Sequence, residues 1–186
     1  FLEAARRLLS VHARLLEHGP VPQVNLGGGF GIAYTAADEP ADIEELLSRL
    51  VDTIAEVCAE LRIPVPAIAI EPGRSIIGPA GVTLYEVGTI KDVEVLTDAG
   101  ELAVRRYVSV DGGMSDNARP ALYGADYAVR LASRASDVDP VLVRIAGKHC
   151  ESGDIVVDAD FLPGDVRRGD LVAVPATGAY CFSLSS

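Results

Sequence analysis

The chain has 186 residues, 49% of them hydrophobic and 23% charged, with a formal net charge of −11. This is the balance of a globular protein with one domain or parts of two, and not of a disordered one. The excess of acid argues against nucleic acid, whose phosphates need a surplus of Lys and Arg. No apolar run is long enough to span a bilayer, so no membrane segment is expected. Cys58, Cys150 and Cys181 are an odd number without metal-ligand spacing, and they suit a reducing cytoplasm better than a disulfide framework.

The first element is a helix in which Leu8, Leu9, His12, Leu15 and Leu16 keep helical spacing and Gly19 marks the stop. No Ser, Thr, Asp or Asn precedes it. The sequence therefore reads as opening in mid-element, as a fragment of a longer protein. Val24 to Leu26 follows as a short buried strand running into Gly27-Gly28-Gly29-Phe30-Gly31. A long helix then places Ile43, Leu46, Leu47, Leu50, Val51, Ile54, Cys58 and Leu61 on one face. Pro40 is expected in its first turn, beside the helix-favouring acids Asp42, Glu44 and Glu45. Val65 to Ile70 is a second buried strand, ending at Glu71-Pro72-Gly73-Arg74. Strand, loop, helix, strand predicts a parallel α/β sheet or barrel.

Beyond about Gly78 the pattern changes. Thr83 to Leu96 and Ala103 to Val110 are rich in Val, Thr and Tyr, with a turn expected at Asp98-Ala99-Gly100. Val141 to Ala146, Ile155 to Asp158 and Leu171 to Pro175 add short strands. This half is expected to be antiparallel β throughout. The boundary falls near residues 75–82, giving an α/β part over 1–78 and a β-domain over 79–186.

Five motifs carry candidate chemistry. The glycines of Gly27–Gly31 follow a strand, and without Cβ atoms their backbone N–H groups can wrap an anion; a simple strand-to-loop turn is the plain alternative. The spacing is not that of a dinucleotide fingerprint. Glu71 and Arg74 close the next strand, either as a surface ion pair of little value or as groups aimed at the same ligand. Arg119 and Tyr123 flank Pro120 in what reads as a stiffened loop, where an arginine can grip a carboxylate. Cys150 and Glu151 lie in His149-Cys150-Glu151-Ser152-Gly153-Asp154, between strands. A thiol beside an acid there can donate a proton, while His149, pointing the other way on an extended strand, makes no Cys–His pair. Tyr180 follows Gly178-Ala179 at a turn, where a phenol can meet a phosphate or merely pack.

In this order and spacing the motifs resemble the diaminopimelate decarboxylase family, within the alanine-racemase-like class of pyridoxal-phosphate enzymes. The resemblance runs from the first helix to Tyr180. It implies the C-terminal part of a TIM (β/α)8 barrel over 1–78, followed by an antiparallel β-domain like the alanine racemase C-terminal domain over 79–186. It implies pyridoxal 5'-phosphate as cofactor and decarboxylation of meso-2,6-diaminopimelate to L-lysine, the last step of lysine biosynthesis, in the cytoplasm. Gly28 and Gly29 with Arg74 would hold the cofactor phosphate. Glu71, within Glu71-Pro72-Gly73-Arg74, would pair with the pyridinium nitrogen. Arg74, Arg119 and Tyr123 would bind substrate, Glu151 would read its distal end, and Tyr180 would meet both cofactor and substrate. Cys150 would protonate the carbanion left when carbon dioxide departs. Cys150 and Glu151 would reach into a second subunit's site, so a homodimer with shared sites is implied, with no metal.

One departure stands out. The family holds its cofactor on a lysine near the start of the barrel, and this chain has only Lys91 and Lys148, neither in the matching position. The resemblance therefore implies that the chain alone does not turn over and, as half a barrel, is unstable alone. A decarboxylase of ornithine or arginine, or a non-catalytic phosphate-binding or assembly module, are the alternatives.

Overall fold

The computed structural model describes residues 1–96 and 99–186, which form two compact units. The first comprises Phe1–Ile32 and Glu39–Ser75, the second Ala33–Asp38 and Ile76–Ser186. The expected turn at Asp98-Ala99-Gly100 includes Asp98, which lies outside the described residues.

In the first unit, α1 (Leu2–Leu16) buries Ala5, Leu9 and His12 along one stripe and has no side-chain cap at its start. β1 (Gln23–Asn25) and β2 (Ala67–Ala69) pair in parallel, with Gln23 opposite Ala67 and Asn25 opposite Ala69. Helix α2 (Ile43–Leu61) is the crossover a parallel pair requires. It starts later than the sequence suggested. Asp42 is its cap, accepting the Glu45 N–H at 2.9 Å, so Pro40 stands ahead of the helix and not in its first turn. Leu50, Ile54, Val57 and Cys58 of α2 pack with Ala5, Leu9, Val24 and Leu26 into one core. The unit holds two parallel strands among the described residues, not a closed barrel. A short helix, α3 (Gly73–Ile77), follows β2.

The second unit is built on β3 (Val82–Leu96), β4 (Leu102–Val110), β5 (Arg130–Leu131), β6 (Pro140–Ala146), β7 (Ile155–Pro163) and β8 (Leu171–Pro175), in the order β5-β8-β3-β4-β6-β7. The long β3 serves two partners. Val82–Glu86 pairs with β8, and beyond a register shift between Val87 and Ile90 the strand runs with β4. The edge strands meet: Asp160 of β7 accepts the Val129 N–H at 2.7 Å and pairs with Arg130 of β5 at 3.0 Å, so the sheet nearly closes on itself. Period-two alternation sends Tyr85 and Val87, Val143 and Ile145, and Val172 and Val174 inward to one apolar core with Val108, Val129 and Leu162.

Three expectations are corrected here. The strand expected over Val65 to Ile70 is only Ala67–Ala69 and is not buried, Ile68 being 37% exposed. The sheet is not antiparallel throughout, because β4 and β6 run parallel, Arg106 opposite Val143 through Ser109 opposite Ala146. A parallel pair cannot be joined by a hairpin, and the intervening chain is the long connection over 111–139. Strand β7 also continues past Asp158 to Pro163, because its ladder with β6 runs on through Asp160 opposite Val143 to Pro163 opposite Pro140. No helix among the described residues is long and apolar enough to cross a membrane.

Candidate active site

The candidate residues fall into two groups, one in each unit. In the first unit, the turn after β1 and the turn after β2 are locked together. Asn25 bridges them: its Nδ2 donates to Glu71 Oε1 at 2.6 Å, and its Oδ1 accepts the Gly27 N–H at 2.8 Å. The Glu71 N–H donates to the Gly27 carbonyl at 2.8 Å. Gly28 lies so close to Glu71 that a Cβ there would strike the Glu71 carbonyl oxygen. Gly29 has φ +91° with open space on its side-chain face, a conformation glycine adopts at little cost. Arg74 Nε donates to the Phe30 carbonyl at 3.1 Å and Nη2 to the Gly29 carbonyl at 3.3 Å.

Glu71 and Arg74 are thus not an ion pair among the described residues. Each is oriented by the β1 turn, the carboxylate by Asn25 and the guanidinium by the glycine loop. The N–H groups of Gly28, Gly29 and Phe30 find no acceptor among the described residues. Unspent backbone donors, open glycines and an adjacent guanidinium form a donor set suited to a phosphate. Asn25 was missed from the sequence; its signal was an amide standing between the apolar Val24 and Leu26.

In the second unit, Arg119 and Tyr123 stand on α4 (Arg119–Tyr123), a helical turn and not the stiffened loop expected; Pro120 lies in its first turn, where a missing N–H does no harm. Arg119 is half-buried. Its Nη1 donates to Tyr127 Oη at 2.7 Å, and its guanidinium carbon lies 4.7 Å from the Tyr34 ring centre and 5.8 Å from those of Tyr127 and Tyr180. The Tyr34 and Tyr127 rings meet edge to face at 5.2 Å. Burial pushes the Tyr127 phenol up to about 12, against the opposing pull of Arg119. Arg119 has no carboxylate partner among the described ion pairs, so a cation held by aromatic faces keeps donors for an incoming anion.

Tyr180 sits at φ +66°, uncommon for a bulky residue, beside buried Cys181, whose sulfur is 3.7 Å from Tyr127 Oη. Tyr123 is 69% exposed, and among the described residues it does not join the aromatic group around Arg119. Cys150 and Glu151 are exposed in the loop between β6 and β7. Glu151 Oε1 accepts only from its neighbours, Ser152 Oγ at 3.3 Å and the Gly153 N–H at 3.4 Å. The segment at His149 is a bend and not extended strand, and the imidazole Nε2 contacts Ser115 Oγ at 2.8 Å. Tyr34 and Tyr127 were missed because isolated tyrosines in irregular segments carry no periodic signal.

The first unit thus carries a donor set suited to an anion, and the second, a small sheet domain, a guanidinium bounded by tyrosine rings. The model of the C-terminal sheet domain of pyridoxal-dependent decarboxylases matches residues 31–178, and the chain belongs to that family. It is 53% identical to the diaminopimelate decarboxylase of Mycobacterium tuberculosis over 189 residues, covering 98% of this chain and 41% of that protein. It is 49% identical to the diaminopimelate decarboxylase of Corynebacterium efficiens, covering 100% of this chain and 40% of that protein. The crystal structure of the M. jannaschii diaminopimelate decarboxylase in complex with L-lysine matches with a TM-score of 0.84 at 30% identity, over 100% of this chain and 40% of that one. A lysine/ornithine decarboxylase from Vibrio vulnificus shares the fold, with a TM-score of 0.69 at 22% identity. The chain therefore spans about two-fifths of the length of the curated relatives it matches.

Proposed function

We propose that this chain contributes to a pyridoxal-phosphate-dependent decarboxylase that converts meso-2,6-diaminopimelate to L-lysine. The observation that carries the reading is Arg119, a half-buried guanidinium without a carboxylate partner among the described ion pairs, in a chain about half identical to diaminopimelate decarboxylases. A substrate with a second carboxylate needs a fixed cation, and a simple diamine precursor such as ornithine does not.

In this reading β1, α2 and β2 belong to a (β/α)8 barrel, and the division between barrel and β-domain falls near residue 78. Gly28, Gly29 and Arg74, with the free N–H groups of the glycine loop, hold the cofactor phosphate. Glu71, at the head of Pro72-Gly73-Arg74 and fixed by Asn25, keeps a proton on the ring nitrogen. When bound, pyridoxal phosphate supplies an electron sink for the charge left as carbon dioxide departs. Neither Lys91 nor Lys148 is assigned to hold it. Arg74, Arg119, Tyr123 and Tyr180 bind substrate, and Glu151 reads its distal ammonium. The Cys150 thiol gives its proton to the carbon that has lost carbon dioxide. Because Cys150 and Glu151 stand exposed, they are read as serving the site of a second copy, in a homodimer. Three free cysteines agree with a cytoplasmic setting.

The test is the full-length enzyme and its Arg119→Ala variant, assayed on meso-diaminopimelate and on ornithine. Wild type is expected to prefer diaminopimelate, and the variant to lose roughly 100-fold in kcat/KM on it, the scale of a lost charge-assisted contact. Preference for ornithine, or an Arg119→Ala enzyme with unchanged kcat/KM, would overturn the reading.

A further inference from the structure

Asp154 is 2% exposed, yet it belongs to none of the ion pairs among the described residues. Its carboxylate is spent on backbone instead. Oδ1 accepts the Met114 N–H at 2.6 Å, and Oδ2 accepts the His149 N–H at 2.7 Å. The two donors belong to different connections. Met114 lies in the segment leading from β4 to Arg119, and His149 in the loop that carries Cys150 and Glu151.

The clamp is tight on both sides. A Cβ at Gly113 or at Gly147 would collide with the Asp154 carboxylate, so both segments pass close enough to require glycine. Further bonds tie the same segments: the Lys148 N–H donates to the Gly112 carbonyl at 2.9 Å, and His149 Nε2 meets Ser115 Oγ at 2.8 Å. The loop closes on Asp154 through its main chain as well, with Gly147 N–H to Asp154 carbonyl at 2.8 Å and Asp154 N–H to Glu151 carbonyl at 3.1 Å. Between these anchors Cys150 and Glu151 are exposed and, among the described residues, have no side-chain partner outside their own loop. Their direction is inherited from residues 149 and 154.

We propose that Asp154 is a positioning residue: by clamping the 111–118 and 147–153 segments, assisted by the Ser115–His149 contact, it sets the direction from which Cys150 delivers its proton. The inference rests on the reading of Cys150 given above. In the step, the bond from carbon to the departing carboxylate breaks, carbon dioxide leaves, and the thiol proton goes to the same carbon. A buried carboxylate can accept from both segments at once. Asparagine at this position accepts on one side only and turns an amide N–H towards a backbone N–H on the other.

The experiment uses the full-length holoenzyme and its Asp154→Asn, Ser115→Ala and Cys150→Ala variants. Each turns over meso-diaminopimelate in deuterium oxide, with the lysine product examined by NMR at the carbon that lost carbon dioxide. Wild type is expected to place deuterium in one configuration. Asp154→Asn should give a mixture and lower kcat roughly 10- to 100-fold, the scale of a misplaced reacting group. Ser115→Ala should give a smaller effect of the same kind, and it decides the matter if Asp154→Asn does not fold. General destabilisation alone does not mix configurations. A single configuration from every variant that folds, with Cys150→Ala impaired, overturns this inference alone. Wild-type rate and configuration in Cys150→Ala overturns the reading of Cys150 and this inference with it.

Discussion

Arg119 donates to the Tyr127 hydroxyl at 2.7 Å, and Tyr127 is 2% exposed, so a buried phenol fixes the one guanidinium that α4 presents. The phenol is itself held by the Tyr34 ring edge and by Cys181 Sγ. Tyr127→Phe keeps the ring packing and removes only the hydroxyl. Hydrogen bonds to charged groups are worth about 1.5–3 kcal/mol, so the KM of the full-length enzyme for diaminopimelate should rise roughly tenfold, with a smaller change in kcat. Steady-state kinetics check this; an unchanged KM would show that Arg119 does not depend on Tyr127.

The same phenol gives an alkaline signature. Burial pushes Tyr127 up to about 12 and Tyr85 higher still, the latter also facing Asp116. A phenol whose folded value is raised stabilises the fold fully below its unfolded value near 10, and that contribution is lost as pH rises towards the folded value. The thermal midpoint should fall between pH 10 and 12. Tyr127→Phe should show a shallower fall over that window, measured by circular dichroism against pH.

Arg134 ties the end of β5 to the turn before β8. It pairs with Asp165 at 2.7 Å and with Asp170 at 3.0 Å, and Asp170 is 5% exposed. Arg134 holds both carboxyls below the ordinary carboxylate value of 3.8. Groups lowered in this way stabilise the fold above the unfolded value, and the contribution disappears as pH falls through the folded one. Arg134→Ala should lower the thermal midpoint at pH 7 by leaving Asp170 buried without its cation, held only by the Ser133 hydroxyl and the Arg167 N–H. The gap to wild type should narrow below about pH 4. A gap independent of pH would refute the assignment.

Gly28 and Gly29 should respond differently to alanine. At Gly28 a Cβ meets the Glu71 carbonyl, a backbone atom that cannot swing aside, and overpacking of this kind costs roughly 1–3 kcal/mol. At Gly29 there is open space and only the φ of +91° to oppose the change, a backbone cost of roughly 1–2 kcal/mol that involves no collision. Thermal melts should rank Gly28→Ala below Gly29→Ala. Pyridoxal phosphate titration of the full-length enzyme should show weaker binding for both.

Some of this was legible in the residues alone. Leu171–Pro175 was read at its observed bounds because a short apolar run follows the turn residues Gly169-Asp170. The parallel pairing of β1 and β2 followed from strand, helix, strand. The parallel β4–β6 contact did not follow, because alternation reports which face is buried and not which way a neighbour runs. β7 was cut short at Asp158, since nothing local says that Asp160 will find the Val129 amide just ahead of β5. Of the candidate residues, Glu71 and Arg74 were placed correctly at a strand end, but their separation by Asn25 and the glycine loop is a tertiary fact. Tyr34 and Tyr127 sit 93 residues apart as a pair around Arg119 and its neighbours only once the chain has folded.

The parallel run of β4 beside β6 obliges the chain to travel a long way between them, and that journey over 111–139 contains Met114, Ser115, Arg119, Tyr123 and Tyr127. Five of the six strands lie outside this stretch, which itself carries the short β5 and the core residues Tyr127 and Val129. An exchange that keeps Tyr127, Val129 and β5 alters the surroundings of Arg119 and leaves the pairing of the other five strands in place.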